Sequence, residues 1–182
     1  MTASARVVTE RLEVVAMDWE MTRVVLAGAP WLQRARGWGV AAGWADPRLT
    51  DRLPMLWCDF GSGRVVPGWE EWLVALRHPA LLIGHVGFHG APDVAGQATL
   101  GYHVAAAHRG KGLASEACRA VLQWGFAQPE LTGVVAMIGA ANLASQRVAR
   151  RVGFVREPTG DRGEEQCWRV GREELVSTGG RS

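Results

Sequence analysis

The run His108-Arg109-Gly110-Lys111-Gly112-Leu113-Ala114 constrains the fold more than any other stretch of this chain. It follows an apolar, strand-like segment at Ala98–Val104 and opens an apolar-periodic helix expected over Leu113–Phe126. Gly110 and Gly112 let the backbone turn tightly and approach a ligand with no Cβ in the way. The first-turn amides of a helix lack intrahelical partners, and the positive end of the helix dipole lies with them. Arg109 and Lys111 add positive charge at the same place. A strand, a basic glycine turn and a helix, in that order, make a site for a phosphate or pyrophosphate.

Spacing separates the phosphate-binding designs that share this logic. No Gly-x-x-x-x-Gly-Lys-Ser/Thr string occurs, so a Walker A loop is excluded. Gly110-Lys111-Gly112 begins a dinucleotide fingerprint, but Ser115 stands where its third Gly or Ala belongs. The turn also lies far from the first strand of the chain, where a dinucleotide-binding unit usually places it. A nucleotide-binding domain therefore stays as the weakest of the open readings.

At 182 residues the chain is most simply one domain with a real core. A net charge of +2 argues against a protein that coats nucleic acid. No segment approaches the roughly 18 consecutive apolar residues of a membrane span. The N-terminal Met-Thr-Ala-Ser-Ala-Arg has no apolar stretch of the secretory kind. Cys58, Cys118 and Cys167 are odd in number and widely spaced, form no metal-ligand cluster, and fit a reduced, cytoplasmic setting.

Helical spacing is expected over Asp18–Ala27, ended by Gly28-Ala29-Pro30. A short helix is expected at Leu49–Phe60, and another at Trp69–Leu76, stopped by Pro79. Strands follow at Ala80–Phe88 and Ala98–Val104, then the helix from Leu113 and a strand at Gly133–Ile138. A helix at Asn142–Arg151 and strands near Phe154–Arg156 and Gln166–Val170 complete the chain. Hairpins early and βαβα late predict a mixed α/β sheet of the α+β kind.

What remains of the turn is Arg109-x-x-Gly112-x-Ala114. It resembles the acyl-CoA pyrophosphate signature, Arg/Gln-x-x-Gly-x-Gly/Ala, of the GCN5-related N-acetyltransferase (GNAT) superfamily. Thr9–Val14, Leu82–Phe88, Leu100–Val104, Asn142–Ser145 with Gly153-Phe154, and Trp168–Glu174 are similar, in colinear order, to successive elements of its ribosomal-protein N-terminal acetyltransferase branch. The resemblance implies a single N-acetyltransferase domain over residues 9–175, with 1–8 and 176–182 as flexible termini. It implies the GNAT fold, with splayed central strands and helices on both faces. Acetyl-CoA is then the acyl donor, a primary amine (a protein N-terminus or a small molecule) the acceptor, and no metal is needed. A homodimer is a common partner state in that branch.

The same resemblance distributes roles. Amides of Gly110, Lys111, Gly112, Leu113 and Ala114 bind pyrophosphate, supplemented by Arg109 and Lys111. Tyr102, His103, Val104 and Ala105 line the pantetheine channel, where the arm pairs with exposed backbone as an added strand would. Asn142 is both a helix N-cap and a contact to the cofactor arm. Ser145 matches a serine proposed as general acid, set against a plain helix-face hydroxyl.

Two positions depart from the family pattern. Thr99 stands where members often carry a glutamate base, and Ala149 where many carry a tyrosine acid. Tyr102 is the only tyrosine in the chain. Alternation places Thr99, Gly101 and His103 on one strand face, so His103 and His85 become the candidate bases, with His89 behind them and a water chain as the alternative. Trp31, Trp38 and Trp57 either line the acceptor wall or fill the core under irregular loops. Arg147, Arg150, Arg151 and Arg156 form a basic group that is either a solvated face or a partner for the coenzyme A 3′-phosphate. Loss of the usual acid and base motivates the rival reading, a non-catalytic acyl-CoA-binding sensor or scaffold.

Overall fold

In the computed structural model, residues 4–173 are described. Among them nine strands run in chain order: β1 (Arg6–Val8), β2 (Leu12–Ala16), β3 (Gly39–Val40), β4 (Glu71–Leu76), β5 (Leu81–Phe88), β6 (Gln97–Val104), β7 (Gly133–Gly139), β8 (Val155–Arg156) and β9 (Glu165–Gly171). Five helices accompany them: α1 (Trp19–Leu26), α2 (Ala29–Arg36), α3 (Pro47–Gly61), α4 (Leu113–Phe126) and α5 (Leu143–Val152). The sheet order is β1-β2-β4-β5-β6-β7-β9-β8, with β3 paired in parallel to β5. All other pairs are antiparallel except β6–β7, so the expected mixed sheet forms.

Alternating strand residues feed two apolar layers. Val14, Val74, Val86 and Leu100 pack with α4 and α5 on one face. Val15, Leu73, Ala75 and Leu82 pack with α1, α2 and α3 on the other. Helices therefore cover both faces of the sheet.

The caps are set by sequence. The Asp18 carboxylate accepts from the Met21 amide at 2.7 Å and starts α1, and Asp46 accepts from Leu49 at 3.1 Å to start α3, with Pro47 in its first turn. Asn142 accepts from the Ser145 amide at 3.1 Å, so its expected capping role is met in α5.

Three expectations need correction. Trp69–Leu76 is not a helix: Glu71–Leu76 is a central strand between β2 and β5. It is buried on both faces, so it lacks the alternation that marks a half-exposed strand and reads as a short helix. Gly28-Ala29-Pro30 ends α1 but also begins α2, with Gly28 as N-cap and Pro30 in the first turn, where its missing N–H costs no hydrogen bond. Within the supposedly flexible segment 1–8, Arg6–Val8 pairs with β2 as an edge strand. Residues 176–182 and the last residues of the expected 9–175 domain lie outside the described ones.

β5 also carries a bulge. Val74 pairs with Gly84 and Ala75 with Leu82, leaving Ile83 as the extra residue. The extra residue turns His85 onto the same face as Leu82 and Leu73, toward α3.

Candidate active site

β6 and β7 pair only from Gln97↔Gly133 to Thr99↔Val135, and beyond Thr99 they diverge. β7 continues with β9 as far as Gly139↔Glu165, so its other edge stays paired. On the far side of β6, the Ala105 amide donates to the Ile83 carbonyl at 2.8 Å, and Val104 faces Gly84. In an antiparallel ladder, hydrogen-bonded and non-bonded pairs alternate. Val104 and Tyr102 therefore turn their N–H and C=O groups away from β5, into the gap that β7 has left. The gap is a cleft of about 590 Å³, lined by Tyr102, Val104, Ala136, Ile138 and Ser145 among others. The splay expected of the central strands is present. Ala105 is corrected: it is fully buried, its amide is committed to Ile83, and it does not line the cleft.

The glycine turn closes one end of the cleft. Gly110 and Gly112 both adopt φ 78°, a left-handed conformation that disfavours other residues, and Gly112 is the N-cap of α4. Arg109, Gly110, Gly112, Leu113 and Ala114 line the cleft. The Arg109 Nε donates to the Val104 carbonyl at 2.8 Å, pinning the end of β6 to the turn. Lys111 faces elsewhere. Its ammonium donates to the Ala107 carbonyl at 3.2 Å, and it lines a second, shallower pocket with Arg11, Arg119 and Arg151.

A clamp holds the turn from behind. The Glu116 carboxylate accepts from the Thr9 hydroxyl at 2.5 Å and from Arg11 Nε at 2.7 Å, while Arg11 Nη1 donates to the Lys111 carbonyl at 2.9 Å. Burial alone would push the Glu116 carboxyl up; the hydrogen bonds from Thr9 and Arg11 together outweigh it and hold the group below the usual glutamate range.

The inner wall comes from α5. Asn142 and Ser145 both line the cleft, and among the described residues no hydrogen bond engages the Ser145 hydroxyl. The Tyr102 hydroxyl reaches across to donate to the Ser145 carbonyl at 2.9 Å. Burial pushes that phenol far above its ordinary range, so it stays protonated. The arginine group divides. Arg147 and Arg151 line the cleft, Arg150 stacks over Trp168 at 5.0 Å, and Arg156 pairs with Asp161 at 2.7 Å.

The outer wall gathers groups from four elements. His103 pairs directly with His85 across the strands, and their rings stack with centroids 5.7 Å apart. His103 Nε2 lies 2.9 Å from the Gly43 carbonyl, which can only accept, so Nε2 carries a proton. His85 Nδ1 lies 3.0 Å from Glu71 Oε2, and its Nε2 lies 3.5 Å from Asp46 Oδ1. Arg52 bonds to Glu70 at 2.9 Å and reaches Glu71 at 3.7 Å. His103, Asp46 and Arg48 line the cleft, whereas the His85 side chain is only 7% exposed beneath them. His89 sits over Gly101, where a Cβ would fall 2.7 Å from its Nε2.

Sequence reasoning missed Asp46 and Glu71. The Asp46-Pro47 pair was a visible cap signal, but nothing in it showed that α3 begins beside β5. Of the two readings of the tryptophans, core filling holds for Trp38. Trp38 is buried with its indole 3.3 Å from Glu13, Trp57 stacks on Trp19 at 6.0 Å, and Trp31 is exposed; none lines the cleft. Thr99 is the last paired residue before the splay, and Ala149 is buried in the core. Cys118 is wholly buried, which raises its thiol and argues against a nucleophile. Among the described residues there is no group of His, Cys, Asp and Glu suited to a metal, and no helix is long and apolar enough to cross a membrane.

Residues 10–155 match the family model described as the acetyltransferase (GNAT) domain. The chain is 27% identical over 88 residues to a Bacillus subtilis (strain 168) protein named as the uncharacterized N-acetyltransferase YjdG, a match covering 48% of this chain and 52% of that protein. It thus spans about half the length of that curated relative. Its fold is similar to that of a ribosomal-protein-S5-alanine acetyltransferase from Vibrio fischeri, with a TM-score of 0.64, 18% identity and coverage of 94% of this chain and 98% of the other. It is also similar to the RimL ribosomal L7/L12 α-N-protein acetyltransferase in complex with coenzyme A, with a TM-score of 0.62, 18% identity and coverage of 91% and 96%.

Proposed function

The chain belongs to the GNAT acetyltransferase family, and from that premise we propose that it transfers the acetyl group of acetyl-CoA to a primary amine by direct attack in a ternary complex. The observation that carries this reading is the divergence of β6 from β7 directly above a left-handed double-glycine turn. The turn offers amides of Gly110–Ala114 to a pyrophosphate, and the edge of β6 offers unpaired backbone to an extended arm. In this reading the Val104 amide, aimed into the gap, polarises the thioester carbonyl as charge develops on its oxygen. Holding donor and acceptor in one cleft supplies much of the remaining acceleration.

The acceptor is a protein N-terminus or a small amine, and it approaches from the wall of Asp46 and His103. The amine must lose a proton before attack. His103 at the cleft surface and His85 beneath it are the groups able to take it near neutral pH. Ser145, across the cleft, donates to the departing thiolate. Attack forms the C–N bond and breaks the C–S bond, leaving an amide and coenzyme A thiol.

The rival, a coenzyme A-binding module without turnover, draws on one pair of observations: Thr99 is held in the ladder and Ala149 is buried, so neither usual proton carrier is replaced in place. Thiol release from acetyl-CoA with a panel of small amines and N-terminal peptides decides between them. Turnover on any amine supports the transferase; tight coenzyme A binding with no turnover on any supports the module.

A further inference from the structure

His85 occupies an unusual position for a neutral imidazole. It is buried between two carboxylates, with Nδ1 3.0 Å from Glu71 and Nε2 3.5 Å from Asp46. Nε2 is shielded from solvent and has no hydrogen-bond partner at normal distance. A neutral ring carries one N–H and can satisfy one carboxylate; the imidazolium carries two and can satisfy both. An unpaired buried polar atom costs free energy, so the protonated ring relieves what the neutral ring leaves unmet.

We infer that His85 is a proton store for this cleft, a positioning residue that receives through Asp46 the proton an acceptor ammonium must lose, with Glu71 holding its ring. This rests on the acetyl-transfer reading and deepens it. Asp46 is the link, because it lines the cleft and also faces His85. The ammonium gives one proton to the Asp46 carboxylate or a water beside it, and from there it reaches the lone pair of His85 Nε2. The neutral amine attacks, and its second proton leaves with the coenzyme A thiol. The stored proton then returns to solvent by the same route, so the net products are amide, thiol and one proton.

Every charged neighbour of the ring bears on this. Glu71 comes from β4, Asp46 from the cap of α3, His103 from β6 as the stacked ring, and Arg52 from α3 against Glu71 and Glu70. His89 lies at the end of β5 and Arg48 at the rim of the cleft. Glu70 is itself pushed up by burial, with Arg52 pulling the other way. Arg52 opposes an added cation, yet it lies against the glutamates, whereas the two carboxylates face the imidazole nitrogens themselves.

The test uses the full chain with Asp46→Asn and Glu71→Gln. Asparagine is as good an N-cap as aspartate, so the first change removes charge and keeps α3 capped. The His85 ring is followed by NMR from pH 5 to 9, assigned by its loss in His85→Gln, and kcat and KM are measured over the same range. Removing a nearby opposite charge favours the neutral ring. We expect the titration midpoint of His85 to fall in each variant, with the acidic limb of kcat moving to lower pH alongside it. We expect His85→Gln to lower kcat while the KM for acetyl-CoA stays within twofold. An unmoved midpoint in both variants, or a His85→Gln protein that loses acetyl-CoA binding instead of kcat, overturns the proposal. A wild-type protein that binds coenzyme A and acetylates no amine defeats the acetyl-transfer reading; transfer with an unmoved acidic limb defeats only the relay.

Discussion

The Tyr102 hydroxyl donates to the Ser145 carbonyl at 2.9 Å, tying the free edge of β6 to the first turn of α5 across the cleft. The sole tyrosine of the chain is thus a brace between the two walls. Tyr102→Phe removes one partly buried hydrogen bond, worth about 1 kcal/mol net, while the carbonyl keeps its place in the α5 ladder. Urea denaturation should show a loss of that size, and the KM for acetyl-CoA should rise more than kcat falls. A kcat collapse at unchanged KM would make the tyrosine a proton donor instead.

The double-glycine turn separates backbone from side chain. A Cβ at Gly112 meets nothing closer than 3.6 Å, so the cost of Gly112→Ala comes from φ 78° alone. That strain is about 1–2 kcal/mol, enough to weaken coenzyme A binding roughly tenfold by calorimetry if the turn shifts to relieve it. Lys111→Ala should weaken binding less than threefold, since its ammonium is directed to Ala107 and away from the cleft. The reverse ranking would show that charge, not the amide cradle, holds the ligand.

The Glu116 clamp gives a pH dependence with a definite sign. Its carboxyl is held below the usual range in the folded protein, despite burial, by Thr9 and Arg11. A depressed folded value stabilises the fold above the ordinary glutamate range, near pH 4.3, and the gain is lost as pH falls through the folded value. Glu116→Gln should therefore lower Tm at pH 7 and differ little from wild type once the pH has fallen below the folded value. A Tm difference that persists unchanged into acid would assign the effect to packing.

How much of this was legible in the sequence depends on which interactions are local. The turn, α4 and the Asn142 cap could be read because glycine conformation, helix period and capping act over a few residues. Trp72, Leu73 and Val74 misled because burial on both faces erases alternation. Gly28-Ala29-Pro30 misled because a stop for α1 is also a start for α2. The outer wall could not be read at all: Glu71, His85 and Asp46 meet only through strand pairing, the Ile83 bulge and the docking of α3. The tryptophans from Trp31 to Trp69 could be read as acceptor wall or as core, and Trp69 goes to the core, where it packs with Trp124 at a centroid distance of 5.1 Å. Their bulk is used for packing under irregular connections, a demand that composition cannot distinguish from ligand contact.

Ser145 separates positioning from chemistry. Its amide and carbonyl are engaged by Asn142 and Tyr102, so Ser145→Ala leaves both backbone bonds intact and removes only the hydroxyl. We expect kcat to fall about 100-fold, the scale of a lost general acid, with KM for acetyl-CoA within twofold. An unchanged kcat would return Ser145 to an ordinary helix-face serine.

The most direct measurement is coenzyme A thiol release from acetyl-CoA against small amines and N-terminal peptides, with the acetylated product identified by mass. The account predicts thiol and acetyl-amine in equal amounts with at least one acceptor, and both formed about 100-fold more slowly in Ser145→Ala. Failure of the protein to bind acetyl-CoA at all would contradict it.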